Sequence, residues 1–112
     1  MADLQSLLAL DPRELDARVH QVIMGYEGIP GNGPPWYSDP RSSSLMLTVL
    51  DRLLQLGFEP WMEAFVREGK PVWFVGFTIA ATGHDTGSIE DASLPRAVAI
   101  AALVAMEGRS DG

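Results

Sequence analysis

Two short stretches of the chain gather side chains that can do chemistry. Trp36-Tyr37-Ser38-Asp39-Pro40 packs two aromatics, a hydroxyl and a carboxylate into four positions. Thr82-Gly83-His84-Asp85-Thr86-Gly87-Ser88 sets a histidine beside a carboxylate, among three hydroxyls and two glycines able to take unusual backbone angles. In the first stretch Tyr37 and Ser38 could supply polar contacts to a small ligand, with Trp36 as a stacking face. In the second, Asp85 could orient His84 as a general base, as a hydrolase requires, with Thr86 as a further polar contact. Both stretches also have readings that need no ligand. Asp39 before Pro40 is the pattern of a helix N-cap, where the macrodipole favours a carboxylate, so this stretch reads mainly as a cap. Adjacent residues often point apart, so residues 82–88 read mainly as a polar connection between a strand and a helix. The ligand-binding candidates are therefore Trp36, Tyr37, Ser38, Asp39, His84, Asp85 and Thr86.

Other chemistries lack their residues. Cysteine is absent, which removes thiolate metal sites, thiol nucleophiles and disulfides. The two histidines, His20 and His84, lie far apart in sequence and no HExxH spacing occurs, so no metal site is expected. His20, next to Val19, is expected to be a partly exposed helix residue. There is no GxSxG elbow and no Gly-Lys-Ser/Thr phosphate loop; no cofactor is expected. Eight basic residues face 15 acidic ones, a formal net charge of −7. The basic residues are scattered and only one is a lysine, which argues against direct nucleic-acid binding. The acidity reads as a solubility feature, with an acidic decoy for a nucleic-acid-binding partner as the rival reading. No apolar run is long enough to span a membrane, and MADLQSLLALDPRELD has no basic n-region. A cytoplasmic protein is expected.

The elements that must position these residues follow from periodicity. A length of 112 residues fits one domain. Asp11-Pro12-Arg13-Glu14 is a helix start, and Leu15, Val19, Val22, Ile23 and Tyr26 mark one apolar face; a helix is predicted over 11–26. Glu27 to Pro35, dense in glycine and proline, is predicted to be irregular. Leu45, Val49, Leu50, Leu53 and Leu56 predict a second helix over 40–56, ended by Gly57. Residues 60–81 read as a β-hairpin with its short loop at Glu68-Gly69-Lys70-Pro71. PRAVAIAALVAMEG is apolar on nearly every side, which predicts a buried helix over 94–107, followed by a frayed tail, 109–112. In the second hairpin strand both the odd set (Trp73, Val75, Phe77, Ile79) and the even set (Val72, Phe74, Gly76, Thr78, Ala80) are largely apolar. A sheet apolar on both faces calls for cover on both. The expected architecture is α+β, a three-layer α/β/α sandwich with a small antiparallel sheet covered by helices on both faces. A lone hairpin is marginal, so either a third strand forms around Ile29 or Ile89, or the sheet edge pairs with a second copy as a homodimer.

Three motifs, taken in order, resemble a known family. ELDARVHQVIMGYEG is similar to its opening helix, YSDPRSSSLMLTVLDRL to its Tyr-Ser element and amphipathic helix, and ASLPRAVAIAALVAMEG to its closing apolar helix. The family is that of small phage proteins with a phage ABA (αβα) sandwich domain. The resemblance implies a helix–sheet–helix sandwich and a phage or prophage origin, and it carries no settled biochemical activity. The expected function is that of a phage or prophage accessory protein, a non-enzymatic protein-binding module and homo-oligomer acting on a host or phage protein. The alternative is a small-molecule-binding module with its pocket near Trp36, Tyr37 and residues 82–88. A hydrolase using His84 and Asp85 comes third.

Overall fold

The computed structural model describes residues 4–109. In chain order it contains α1 (Leu4–Leu8), α2 (Pro12–Arg18), a π-helical turn (Val19–Ile23), α3 (Ser43–Gln55), β1 (Phe58–Arg67), β2 (Lys70–Ile79), β3 (Asp85–Asp91) and α4 (Leu94–Arg109). The tail expected to fray falls at Ser110–Gly112, outside the described residues, and α4 runs on through Gly108 to Arg109.

The first predicted helix starts as its sequence dictates. Asp11 accepts from the Glu14 N–H at 2.9 Å and Pro12 occupies the first turn, so one orphan donor is satisfied and the missing proline N–H is harmless. Leu15, Val19 and Ile23 are fully buried. The helix then widens: Met24 N–H donates to Val19 O, a π-type bond that accommodates one extra residue in the turn. Gly25, at φ 81°, ends it. The wider turn rotates the residues beyond it, so Tyr26 leaves the apolar face to which its spacing assigned it and is 57% exposed.

Asp39-Pro40 does not begin the next helix. The Asp39 carboxylate accepts from Arg41 N at 2.8 Å and pairs with the Arg41 guanidinium, closing a local turn. The helix begins at Ser43 instead, with no side-chain cap on its first turn. The cap expected at Asp39 is therefore corrected: a guanidinium two residues on outcompetes helical N–H groups for the same oxygens. The rest of α3 follows its periodicity, with Val49 and Leu53 buried, Leu45, Leu50 and Leu56 packed against the core, and Gly57 at φ 93° as terminator.

The hairpin pairs Phe58 with Ile79 through to Arg67 with Lys70. Glu68 and Gly69, at φ 55° and 77°, form a two-residue loop, the left-handed pair that matches strand twist; it is shorter than the expected Glu68 to Pro71 because Lys70 and Pro71 pair with Arg67 and Val66. The third strand lies at Ile89, completing an antiparallel sheet of order β1-β2-β3, while the Ile29 segment stays in the loop. The molecule is thus an α+β fold, an antiparallel sheet packed on helices, with a radius of gyration of 13.4 Å, against about 13 Å for a folded domain of this length. Among the described residues no helix is long and apolar enough to cross a membrane.

The centre of the molecule is α4. Ala97 to Leu103 and Ala105 are all at most 1% exposed, as an element apolar all round must be. It packs against β2 and β3, and also against α3, α2, the π turn and α1. The odd set of β2 faces it: Val75 and Phe77 are at 0% exposure, and Trp73 and Ile79 pack on the core. The even set is covered less deeply. Val72 and Phe74, with Trp61 and Phe65 beside them on β1, are half-buried and stand outside the core cluster.

Candidate functional site

The first candidate stretch lies against α2, and the structure divides its residues between two roles. Tyr37 is 4% exposed, and its hydroxyl lies 2.7 Å from Nδ1 of His20. Ser38, 7% exposed, donates its backbone N–H to Oδ1 of Asp16 at 2.9 Å. Asp16 and His20 stand four residues apart on consecutive turns, so both point into the same loop. His20 is buried, contrary to its expected exposure, because Tyr37 covers it from one side and Tyr26 stacks on it at 4.5 Å. The cluster latches the loop to the helix. It converts Tyr37 from an expected ligand contact into an interior strut.

Asp16 is the unusual member. It is fully buried, and its Oδ2 has no hydrogen-bond partner, with Arg13 3.9 Å away. Burial pushes its carboxyl above the ordinary range, opposed by the Ser38 bonds and by the Arg13 guanidinium. Tyr37 is likewise pushed up, first by burial and then by Tyr26 and Asp16. Asp39 shifts the other way, held down by its Arg41 hydrogen bonds.

Beside this latch, Trp36, Ser38, Asp39 and Arg41 line a cleft of about 400 Å³ together with Pro12, Pro40, Ser93 and Arg96. Trp36 is 48% exposed and carries the Arg13 guanidinium on its ring at 3.9 Å. Arg96 is tied to Asp91 and to Leu8 O. The Ser93 hydroxyl at the start of α4 has no partner.

Residues 82–88 do not join this cleft. His84, Asp85 and Thr86 sit at the start of β3, whereas Ser93 and Arg96 follow its end. The six residue steps from Asp85 to Asp91 span about 20 Å of strand. His84 is exposed, and its carbonyl accepts from Ile79 N at 2.8 Å. Oδ1 of Asp85 accepts from Gly87 N at 2.8 Å and so closes a turn rather than orienting the imidazole. Thr86 donates its hydroxyl to Phe77 O at 2.9 Å, bracing a β-bulge between β2 and β3. The pocket expected between Trp36, Tyr37 and residues 82–88 is thereby corrected to one between Trp36 and the start of α4. Among the described residues no group of three metal-ligating side chains converges.

A second candidate site is the even-numbered face of the sheet. Its rows follow from the register: Glu59, Thr78 and Asp85; Trp61, Gly76 and Ser88; Glu63, Phe74 and Glu90; Phe65 and Val72; Arg67 and Lys70. Gly76 makes the second row possible. A Cβ there would lie 2.6 Å from Cζ2 of Trp61 and 2.9 Å from the Gly87 carbonyl oxygen, so only glycine lets the indole lie flat across the sheet. Phe65 and Phe74 meet at 5.2 Å, and Arg67 sits over the Phe65 ring at 5.1 Å while pairing with Glu90. The result is an aromatic stripe bordered by four carboxylates, with two cations at the hairpin tip.

No family model, curated protein or solved structure matches the chain.

Proposed function

We propose that the protein is a non-enzymatic protein-binding module that recognises its partner with the open face of the sheet. One observation carries this reading: Trp61, Phe65, Val72 and Phe74 lie together on one face yet outside the hydrophobic core. A half-exposed, contiguous apolar patch rimmed by polar groups is characteristic of interaction surfaces. Glu59, Glu63, Asp85 and Glu90 border the stripe, and the whole chain is acidic at −7. The complementary partner is therefore a protein segment bearing Lys or Arg beside an apolar anchor, attracted by the carboxylates and by the faces of the aromatic rings. In line with the family resemblance, that partner is a host or phage protein met in the bacterial cytoplasm.

The experiment is site-specific photo-crosslinking in cells that carry the protein, with the reactive group at position 65, 74 or 84. One protein should be captured from positions 65 and 74 and not from 84, and its capture should vanish in Trp61→Ala. Equal capture from position 84, or none from the sheet face, overturns the reading.

A second reading has its own observation. The cleft of about 400 Å³ beside Trp36 has the size of a small-ligand site, and the unpartnered Ser93 hydroxyl and the Arg41 and Arg96 guanidiniums line it. Native mass spectrometry of the purified protein tests it: a retained small molecule, lost in Trp36→Ala, supports the cleft as a binding site.

A further inference from the structure

Hydrogen-bond directions in the sheet can be read from two bonds at the C-terminal end of β2. Ile79 N donates to His84 O, toward β3, and Ala80 N donates to Gly57 O, toward β1. Odd-numbered N–H groups of β2 therefore face β3 and even-numbered ones face β1, since the direction alternates along a strand. Through the register, Glu59, Trp61, Glu63, Phe65 and Arg67 exchange bonds with β2. The remaining positions of β1, namely Phe58, Pro60, Met62, Ala64 and Val66, turn their backbone groups away from the sheet. Among the described residues no strand lies on that side, because β1 is the first in the order β1-β2-β3.

The two edges of the sheet are protected unequally. β3 is short, polar and bulged, three devices that discourage further pairing. On β1, Pro60 removes one outward donor, but Met62 to Val66 carries no proline and no lysine. Its side chains on the helix-facing side are also uncovered: Met62 is 38% and Val66 72% exposed, and Ala64 is exposed with them.

We infer that two copies of the chain join by pairing their β1 edges antiparallel about a two-fold axis at Ala64. In that register Ala64 meets Ala64 of the second copy, and Met62 and Val66 meet reciprocally. Three outward residues on each chain exchange six backbone hydrogen bonds, none of which needs Pro60. On the helix-facing side Met62, Ala64 and Val66 cover one another. On the open face Trp61 lies opposite Arg67, a cation beside an indole, and Glu63 lies opposite Phe65. No like charges meet. The neighbouring registers are worse: centring on Glu63 sets two carboxylates face to face, centring on Met62 places Pro60 in the ladder, and centring on Phe65 requires Glu68, which the turn holds at φ 55°, to be extended. The pairing makes one six-stranded sheet with a continuous aromatic face, and it does not depend on the partner proposed above.

Ala64→Pro tests it with little harm to the fold, since the N–H it removes points away from β2 as that of Pro60 would. In sedimentation equilibrium at tens of micromolar the wild type should show twice its 12.2 kDa chain mass, and Ala64→Pro should show the single mass with its circular dichroism retained. A cysteine scan fixes the register without any proline, because the chain has no cysteine of its own. Ala64→Cys should oxidise to a disulfide-linked dimer, its Cα atoms being about 5.5 Å apart in a hydrogen-bonded pair. Met62→Cys should not, because an offset of four residues along the strands holds the two sulfurs about 13 Å apart. A monomeric wild type, a dimeric Ala64→Pro, or equal cross-linking from position 62 would each overturn the inference.

Discussion

Gly76→Ala is the most informative single change on the open face. The added Cβ would stand 2.6 and 2.7 Å from two indole atoms of Trp61 and 2.9 Å from the Gly87 carbonyl oxygen. The indole can swing away. The carbonyl cannot, because Gly87 belongs to the bulge that Thr86 ties to Phe77 O and Asp85 closes. Replacing glycine by alanine in an unobstructed strand stabilises by roughly 0.5–1 kcal/mol, whereas overpacking costs about 1–3 kcal/mol. The steric term wins, and a net loss of roughly 0.5–2 kcal/mol is expected in urea unfolding. In a Trp61→Ala background one of the two obstacles is gone, so the same substitution should cost less, with a coupling of about 0.5 kcal/mol or more. The reasoning is refuted if Gly76→Ala is as stable as the parent, or if its cost is the same with and without Trp61.

The two faces of β2 should respond differently to charge. Phe77→Asp places a carboxylate at a position with 0% exposure, a penalty of several kcal/mol against a typical stability of about 5–15 kcal/mol, and circular dichroism should show an unfolded chain; Phe74→Asp, on the half-buried face, should fold and lose the photo-crosslinked partner. Tyr37→Phe leaves buried Nδ1 of His20 without its hydroxyl and should lower stability by about 1–3 kcal/mol in urea titration, while leaving any ligand retained by the cleft in place. Asp16 sets a pH dependence of definite sign. Its carboxyl is raised in the folded state, so the folded chain holds that proton more tightly than the unfolded one. This contribution to stability is full below about pH 4 and is lost as pH rises through the folded value. Asp16→Asn should flatten that decline when urea midpoints are compared across this range.

Much of the architecture was legible because it is periodic. Leu15, Val19 and Ile23, the Leu45 to Leu56 face of α3, and the all-round apolar run of α4 each repeat at helical spacing, and each is buried or packed as that spacing requires. The hairpin loop was legible within Glu68 to Pro71, though only Glu68 and Gly69 turn and Lys70 and Pro71 join β2. The features that escaped depend on distant parts of the chain. β3 escaped only in part: Ile89 was one of two places expected for a third strand, but DTGSIED offers that single apolar anchor and becomes a strand only because β2 has an edge to fill. Asp16 and His20 gave no sign of burial because their partners, Ser38 and Tyr37, arrive from a loop about twenty residues downstream. The one available hint was their four-residue spacing. Asp39-Pro40 imitated a cap and was diverted by Arg41. Alternation along β2 announces that a face is apolar but not how deeply it is covered, and it is depth that separates Phe77 from Phe74.

Binding by the open face is tested most directly by an NMR titration of the ¹⁵N-labelled protein with a short synthetic peptide alternating Arg and Leu. Amide shifts concentrated at Trp61, Glu63, Phe65 and Phe74, and weakened in Glu63→Gln, are the expected result. Shifts concentrated around Trp36 and Ser93, or no shifts on the sheet at all, would contradict it.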